Sequence, residues 1–147
     1  MLLLVHFNSV AQLQSYKKGL ASFEKGFYEQ AILELKKVEV IDESEKGKLF
    51  GTIAEAYRLS NRWEEAAPFY KKAIAAGNMD PAFLFYTGYS LKASGQYQEA
   101  LTFFEKFVEA KSQDKVMNER ANRELNTLRI IDEISVQKRD VVFQNQK

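Results

Sequence analysis

Three stretches of this chain lie over one another without a gap: "GFYEQAILELKKV" at 26–38, "NRWEEAAPFYKKA" at 61–73 and "GQYQEALTFFEKF" at 95–107. The second begins 35 residues after the first, and the third 34 residues after the second. A period of this length means one supersecondary unit written three times. Such a unit buries its apolar face only by stacking on a neighbour.

Equivalent positions carry equivalent physics. Gly26, Asn61 and Gly95 can turn the chain with positive φ or cap the helix that follows. Tyr28, Trp63 and Tyr97 come next as aromatic wedges, followed by Ala31, Ala66 and Ala100, whose small side chains let two helices approach closely. Leu35, Tyr70 and Phe104 fill the space one turn on, and Val38, Ala73 and Phe107 complete a stripe at helical spacing. Before each stretch stands another helical segment, "YKKGLASFEK", "FGTIAEAYRLS" or "FLFYTGYSLKAS", with Gly19, Ala54 and Gly88 at the crossing position. The spacing predicts helix pairs at 13–25 with 28–41, 46–59 with 62–76, and 81–94 with 97–110. A chain 46% hydrophobic and 28% charged with 2 prolines has the composition to fold this way, as a mostly helical protein.

These residues resemble the tetratricopeptide repeat, whose pattern runs Trp-x2-Leu-Gly-x2-Tyr, then Ala-x3-Phe, then Pro, over 34 residues. The resemblance covers residues 13–111. The third copy follows the pattern best, with Gly88, Gly95, Tyr97, Ala100, Phe104 and Phe107. The second has Ala54, Tyr57, Trp63, Ala66, Tyr70, Ala73 and the Pro81 that opens the next unit. The first departs most, with Ser22 in the tyrosine position and no closing proline. The resemblance implies an all-α fold, a right-handed α-solenoid of three helix-turn-helix repeats closed by a capping helix. That cap is expected within 112–136, where Val116, Ala121, Leu125, Leu128 and Ile131 recur at helical spacing. The polar tail, 137–147, then either frays or begins the first strand of a further domain at "DVVFQ".

Pro68 stands inside the second trailing helix, where a proline costs about 3 kcal/mol. It falls about 200° around from Ala66, facing water, so the Glu64 carbonyl it orphans can be hydrated. Asn61 with Glu64 three residues on reads as a capping box that offsets part of the loss, and a gentle bend is expected at Pro68.

Little in the chain suggests reaction chemistry. With 21 basic and 20 acidic side chains the net charge is +1, which supplies no field to draw in nucleic acid or an acidic membrane surface. There is no cysteine, which removes disulfides, thiol catalysis and thiolate metal sites. His6 is the sole histidine and lies in the N-terminal apolar run. The glycines follow the repeat, not a phosphate loop, and the carboxylate pairs Glu64–Glu65 and Asp132–Glu133 read as solvated helix faces. Neither catalysis, cofactor nor metal site is expected. Residues 1–12, "MLLLVHFNSVAQ", read as a truncated secretory-signal remnant ending near Ser9-Val10-Ala11, the alternative being an apolar helix start. No later stretch reaches the ~20 apolar residues of a membrane span.

With 11 Phe, 7 Tyr and 1 Trp, aromatic residues are more than incidental. Tyr28, Trp63, Tyr97, Tyr70 and Phe104 are assigned to the core by their stripe spacing. The resemblance implies that the leading helices line a concave groove. Carrying the family's groove positions onto this sequence gives Tyr16, Leu20 and Phe23; Gly51, Glu55 and Arg58; Phe85, Tyr89 and Lys92; and Glu119 and Arg123 of the cap. Family members that hold chaperone C-terminal carboxylates use Lys, Asn and Arg at such sites. Here Tyr16, Leu20 and Gly51 replace them, so that clamp is absent. What remains is an aromatic trough with Arg58, Lys92 and Arg123 at its edges, suited to an apolar or aromatic peptide segment of some acidic character. The bland alternative is that Phe85 and Tyr89 pack between neighbouring helices. The expected role is a non-catalytic protein–protein interaction scaffold. The arrangement of signal remnant, repeats and cap resembles the N-terminal module of Bacteroidota cell-envelope proteins with an outer-membrane-protein-A-like domain or a part in type IX secretion, implying a periplasmic or envelope setting. The contrasting readings are a cytoplasmic adaptor or secretion-chaperone-like protein, and a self-associating homo-oligomer that buries the groove.

Overall fold

The computed structural model describes the backbone of residues 2–144 and the side chains of residues 10–137. The expectations for His6 and for the side chains of the tail beyond 137 lie outside the described residues. Among these residues seven helices follow one another with no strand: α1 (Leu2–Glu24), α2 (Tyr28–Leu35), α3 (Glu43–Leu59), α4 (Trp63–Ala75), α5 (Pro81–Ala93), α6 (Tyr97–Glu109) and α7 (Lys115–Gln144). The fold is an all-α helical repeat. It divides into two compact units, Met1–Met79 with α1 to α4 and Asp80–Lys147 with α5 to α7.

One turn recurs three times and sets each helix pair. Gly26, Asn61 and Gly95 take φ of 80°, 59° and 72°, the left-handed region in which glycine and asparagine are least strained. Behind each, the next amide reaches back to the last turn of the leading helix. Phe27 N–H donates to Ser22 O, Arg62 N–H to Tyr57 O, and Gln96 N–H to Leu91 O, each at 2.9 Å. This six-residue closure is a Schellman motif, and it satisfies carbonyls that a helix end would otherwise leave open. The capping box expected at Asn61 does not form. Asn61 is the left-handed residue, its Oδ1 accepts from Trp63 Nε1 at 3.0 Å, and α4 starts without a side-chain cap. Pro68 lies within α4 on an exposed position, as its register requires.

In the first unit α1 packs on α2, α2 on α3 and α3 on α4. Ala31, Leu35, Ala54, Ala56, Ala66, Tyr70 and Ala73 are wholly buried there. The approach at Gly19 is so close that an added Cβ would stand 2.5 Å from Leu35 Cγ. In the second unit α5 packs on α6 and α6 on α7, around Leu91, Ala100, Phe104, Phe107, Ala121 and Leu128. Asp80 caps α5 by accepting from Ala82 N–H at 2.9 Å, with Pro81 supplying the first helical residue.

Several elements differ from their sequence expectation. Helix α2 stops at Leu35, not near 41, because the amides of Glu39 and Val40 are taken by Gln12 Oε1, at 3.0 and 2.6 Å, instead of by helix carbonyls. Helix α1 is continuous from Leu2, and α7 runs on to Gln144, so the backbone over "DVVFQ" is helical, neither strand nor frayed tail. Among the wedges, Tyr70 and Phe104 are fully buried, whereas Tyr28 and Trp63 are half-buried and Tyr97 is 43% exposed. They begin their helices, and a residue in the first turn has less of the partner helix over it than one two turns on. Val116 is 60% exposed, since it falls on the side of α7 away from Ala121 and Leu125.

Candidate functional site

The groove positions divide between the two units, and each set is built by its own helices. On α1 and α3, Tyr16 is buried and its hydroxyl donates to Glu45 Oε2 at 2.7 Å. Burial first, and then the Glu45 carboxylate, push its pKa up, so it stays a neutral donor. Tyr16 is therefore a joint between α1 and α3 and not a free groove aromatic. Leu20 and Phe23 remain half-exposed, and the Phe23 ring lies 5.7 Å from that of Tyr28. Gly51 is buried. Glu55 is fully engaged: it takes Arg58 Nε at 3.1 and 3.2 Å and Nη2 at 2.5 Å, and it accepts from the Tyr70 hydroxyl. Burial, reinforced by Glu55, raises the Tyr70 pKa and keeps that proton in place.

On α5 and α7 the sequence reading needs one correction. Phe85, counted as a groove residue, is 2% exposed and sits in the core, its ring 5.8 Å from Phe104 and 5.3 Å from Phe107. Helix α5 is apolar nearly all round, so its spacing alone could not tell groove from core. Tyr89 stands one turn on and is half-buried, its ring edge-on to Phe104 at 5.7 Å and 5.0 Å from Phe85. Beside it Lys92 Nζ binds Glu124 and lies 6.0 Å from the centre of the Tyr89 ring. Burial and then a hydrogen bond to Glu124 raise the Tyr89 pKa, while Arg120 and Arg123 act in the opposite sense. Those two arginines are exposed and carry no ion pair among the described residues. Glu119 is also exposed.

The sequence reading therefore missed Arg120 and Glu124. Both stand in the i, i+3, i+4 relation with Arg123 that puts residues on one helix face, and this spacing was the available signal. Counting by repeat register selected Glu119 instead, which the structure leaves exposed. Chemically the α5–α7 face offers an aromatic ring, a neutral hydroxyl and three cations against one bound carboxylate.

Residues 50–83 match one family model and residues 88–114 another, both described as tetratricopeptide repeat. The chain thus carries two stretches that match the tetratricopeptide repeat. Its repeats share their fold with several solved structures. The Yersinia enterocolitica type III secretion chaperone SycD, in complex with a peptide of the translocator YopD, is 18% identical, with 81% of this chain and 92% of that one covered at a TM-score of 0.63. The second tetratricopeptide domain of human RPAP3, in complex with the HSP70 peptide SGPTIEEVD, is 22% identical over 84% and 97% of the two chains, at 0.61. The Sgt2 tetratricopeptide domain from Aspergillus fumigatus is 19% identical over 86% and 82%, at 0.58. At these identities the likeness is one of fold. Among curated proteins no sequence matches this chain. No helix among its described residues is long and apolar enough to cross a membrane.

Proposed function

We propose that this protein is a non-catalytic interaction scaffold whose leading-helix faces hold a peptide segment, and that the α5–α7 face selects one with an apolar or aromatic residue beside acidic ones. The observation that carries the reading is the pair Arg120 and Arg123, exposed and without ion-pair partners among the described residues, next to the half-buried ring of Tyr89. A carboxylate arriving there meets cations that lose no internal partner by binding it. An aromatic or aliphatic neighbour covers the exposed part of the Tyr89 ring. Proteins of the same fold that hold peptides, SycD with a YopD segment and RPAP3 with an HSP70 peptide, support the scaffold role. The Leu20 and Phe23 surface of α1 is the corresponding apolar face of the first unit.

Calorimetric titration with a peptide carrying Phe or Leu flanked by Asp and Glu, and with its Lys-substituted copy, tests this. The acidic peptide should bind in the micromolar range, about −8 kcal/mol, and R120E with R123E should weaken it by at least about tenfold. Equal binding of the two peptides, or no loss in the double variant, overturns the reading. The same proposal places the scaffold in a cell-envelope or secretion assembly. Fractionation of the native cell tests that setting, and recovery from the cytosol alone overturns it.

A further inference from the structure

The stretch that links α2 to α3 shows an apolar side chain between two open carboxylates. Gln12 Oε1 takes the amides of both Glu39 and Val40, at 3.0 and 2.6 Å, which fixes the backbone there. Val40 is 74% exposed and lines a cleft with Leu13 of α1, which is 52% exposed. The carboxylates of Glu39 and Asp42 make no ion pair or hydrogen bond among the described residues, and Asp42 stands at the start of α3 without capping it. Lys37 and Lys46 are engaged by Glu34 and Glu43, and Lys36 reaches the Tyr57 hydroxyl at 3.5 Å. Glu39 and Asp42 are therefore the open charges of this stretch.

A surface complementary to it is apolar and cationic, and the chain itself carries one. On the α5–α7 face Arg120 and Arg123 are exposed, without ion-pair partners among the described residues, beside the Tyr89 ring. We infer that residues 38–42 of one copy dock on the α5–α7 face of a second copy, Glu39 and Asp42 against Arg120 and Arg123, and Val40 against Tyr89. This docking rests on the reading of that face as a site for an apolar segment with acidic neighbours, and supplies the segment. At most about 10 Å of chain separates Glu39 from Asp42, and two arginines one turn apart on α7 bracket that span with their long side chains. No ion pair among the described residues has to break for these charges to meet. The two surfaces belong to different units, so the contact is heterologous, head to tail, and can add further copies. A contact this small holds weakly, and association grows with concentration.

Sedimentation of the full chain at rising concentration reads this out. The average mass should exceed that of one chain and fall back in high salt, which screens exposed charges. Two variants, E39K with D42K and R120E with R123E, should each need at least about tenfold higher concentration to associate. Their helical circular dichroism should be unchanged, because all four side chains are exposed. Mixed, the two variants should associate again, since the first keeps the native arginine face and the second the native acidic segment. An intact chain that stays single, association indifferent to either variant, or a mixture that stays apart overturns the docking. Where the chain stays single but the acidic peptide still binds and is weakened by R120E with R123E, the docking alone falls. Where the peptide fails as well, the reading of the face falls with it.

Discussion

The first and third repeats use one register and fill it differently. In α5–α6 both helices have 13 residues, and the crossing at Gly88 is packed by an aromatic ring, an added Cβ standing 3.0 Å from Phe104 Cε2 and Cζ. In α1–α2 the trailing helix has 8 residues, and the crossing at Gly19 is packed by an aliphatic side chain that also brings its own backbone near, with Leu35 N 3.2 Å from the added Cβ. The first repeat compensates for its short helix with polar ties. Gln12 holds the segment after α2, and the buried Glu34 takes Lys18 Nζ at 2.8 Å and Lys37 Nζ at 3.2 Å. The third repeat instead buries the two hydroxyl side chains Thr87 and Ser90. A repeat can thus keep its turn and crossing while changing what carries its stability from apolar packing to hydrogen bonding.

The two crossings give the widest split. Gly19→Ala should destabilise by roughly 1–3 kcal/mol, because Leu35 Cγ is not the free end of its side chain and cannot swing clear. Gly88→Ala should stay within about 1 kcal/mol of wild type, the gain in helix propensity offsetting a small shift of the Phe104 ring. Denaturant titration measures both, and equal losses would erase the distinction between the crossings. Leu35→Ala should cost roughly 2–5 kcal/mol by itself, and the Gly19→Ala, Leu35→Ala double variant should fall short of the sum.

A smaller effect of opposite sign belongs to the third repeat. Ser90 Oγ is buried with no hydrogen-bond partner, and the equivalent position of the second repeat is the buried Ala56. Ser90→Ala should therefore raise stability by about 1 kcal/mol, read from the shift in denaturation midpoint. A loss would mean that the hydroxyl has a role that its surroundings do not reveal.

The smallest difference is in acid. Hydrogen bonds from Lys18 and then Lys37 hold the Glu34 carboxyl below the ordinary glutamate value of 4.5. A depressed carboxyl stabilises the fold above that value and stops doing so as pH falls through its lower folded one. Glu34→Gln should be less stable than wild type at neutral pH, and the gap should close as pH drops below 4.5. Melting curves across that range check it. A gap that persists in acid would assign the role of Glu34 to packing instead of charge.

Much of the fold was legible before any coordinates. The period, the three left-handed turn residues and the small crossing residues Gly19, Ala31, Ala66, Gly88 and Ala100 are all visible in the string, because each depends on the backbone of its own few residues or on a spacing that every copy repeats. The end of α2 was not legible, since it turns on a glutamine 27 residues earlier in the chain. The candidate site was harder to read. The leading helices could be named, but Phe85 proved to be core, Tyr16 a joint held by Glu45, and Arg120 with Glu124 entered only through the interactions of α7 with Tyr89 and Lys92.

By itself, then, the sequence determined the repeat, its handover from helix to helix and the identity of the crossing positions, because these follow from local conformational preference and periodicity. Tertiary structure alone decided which aromatic residues are covered, which carboxylates find cations and where two helices stop short or run on. Burial and hydrogen bonding belong to pairs of segments, and a pair's partner is fixed only when the helices have packed.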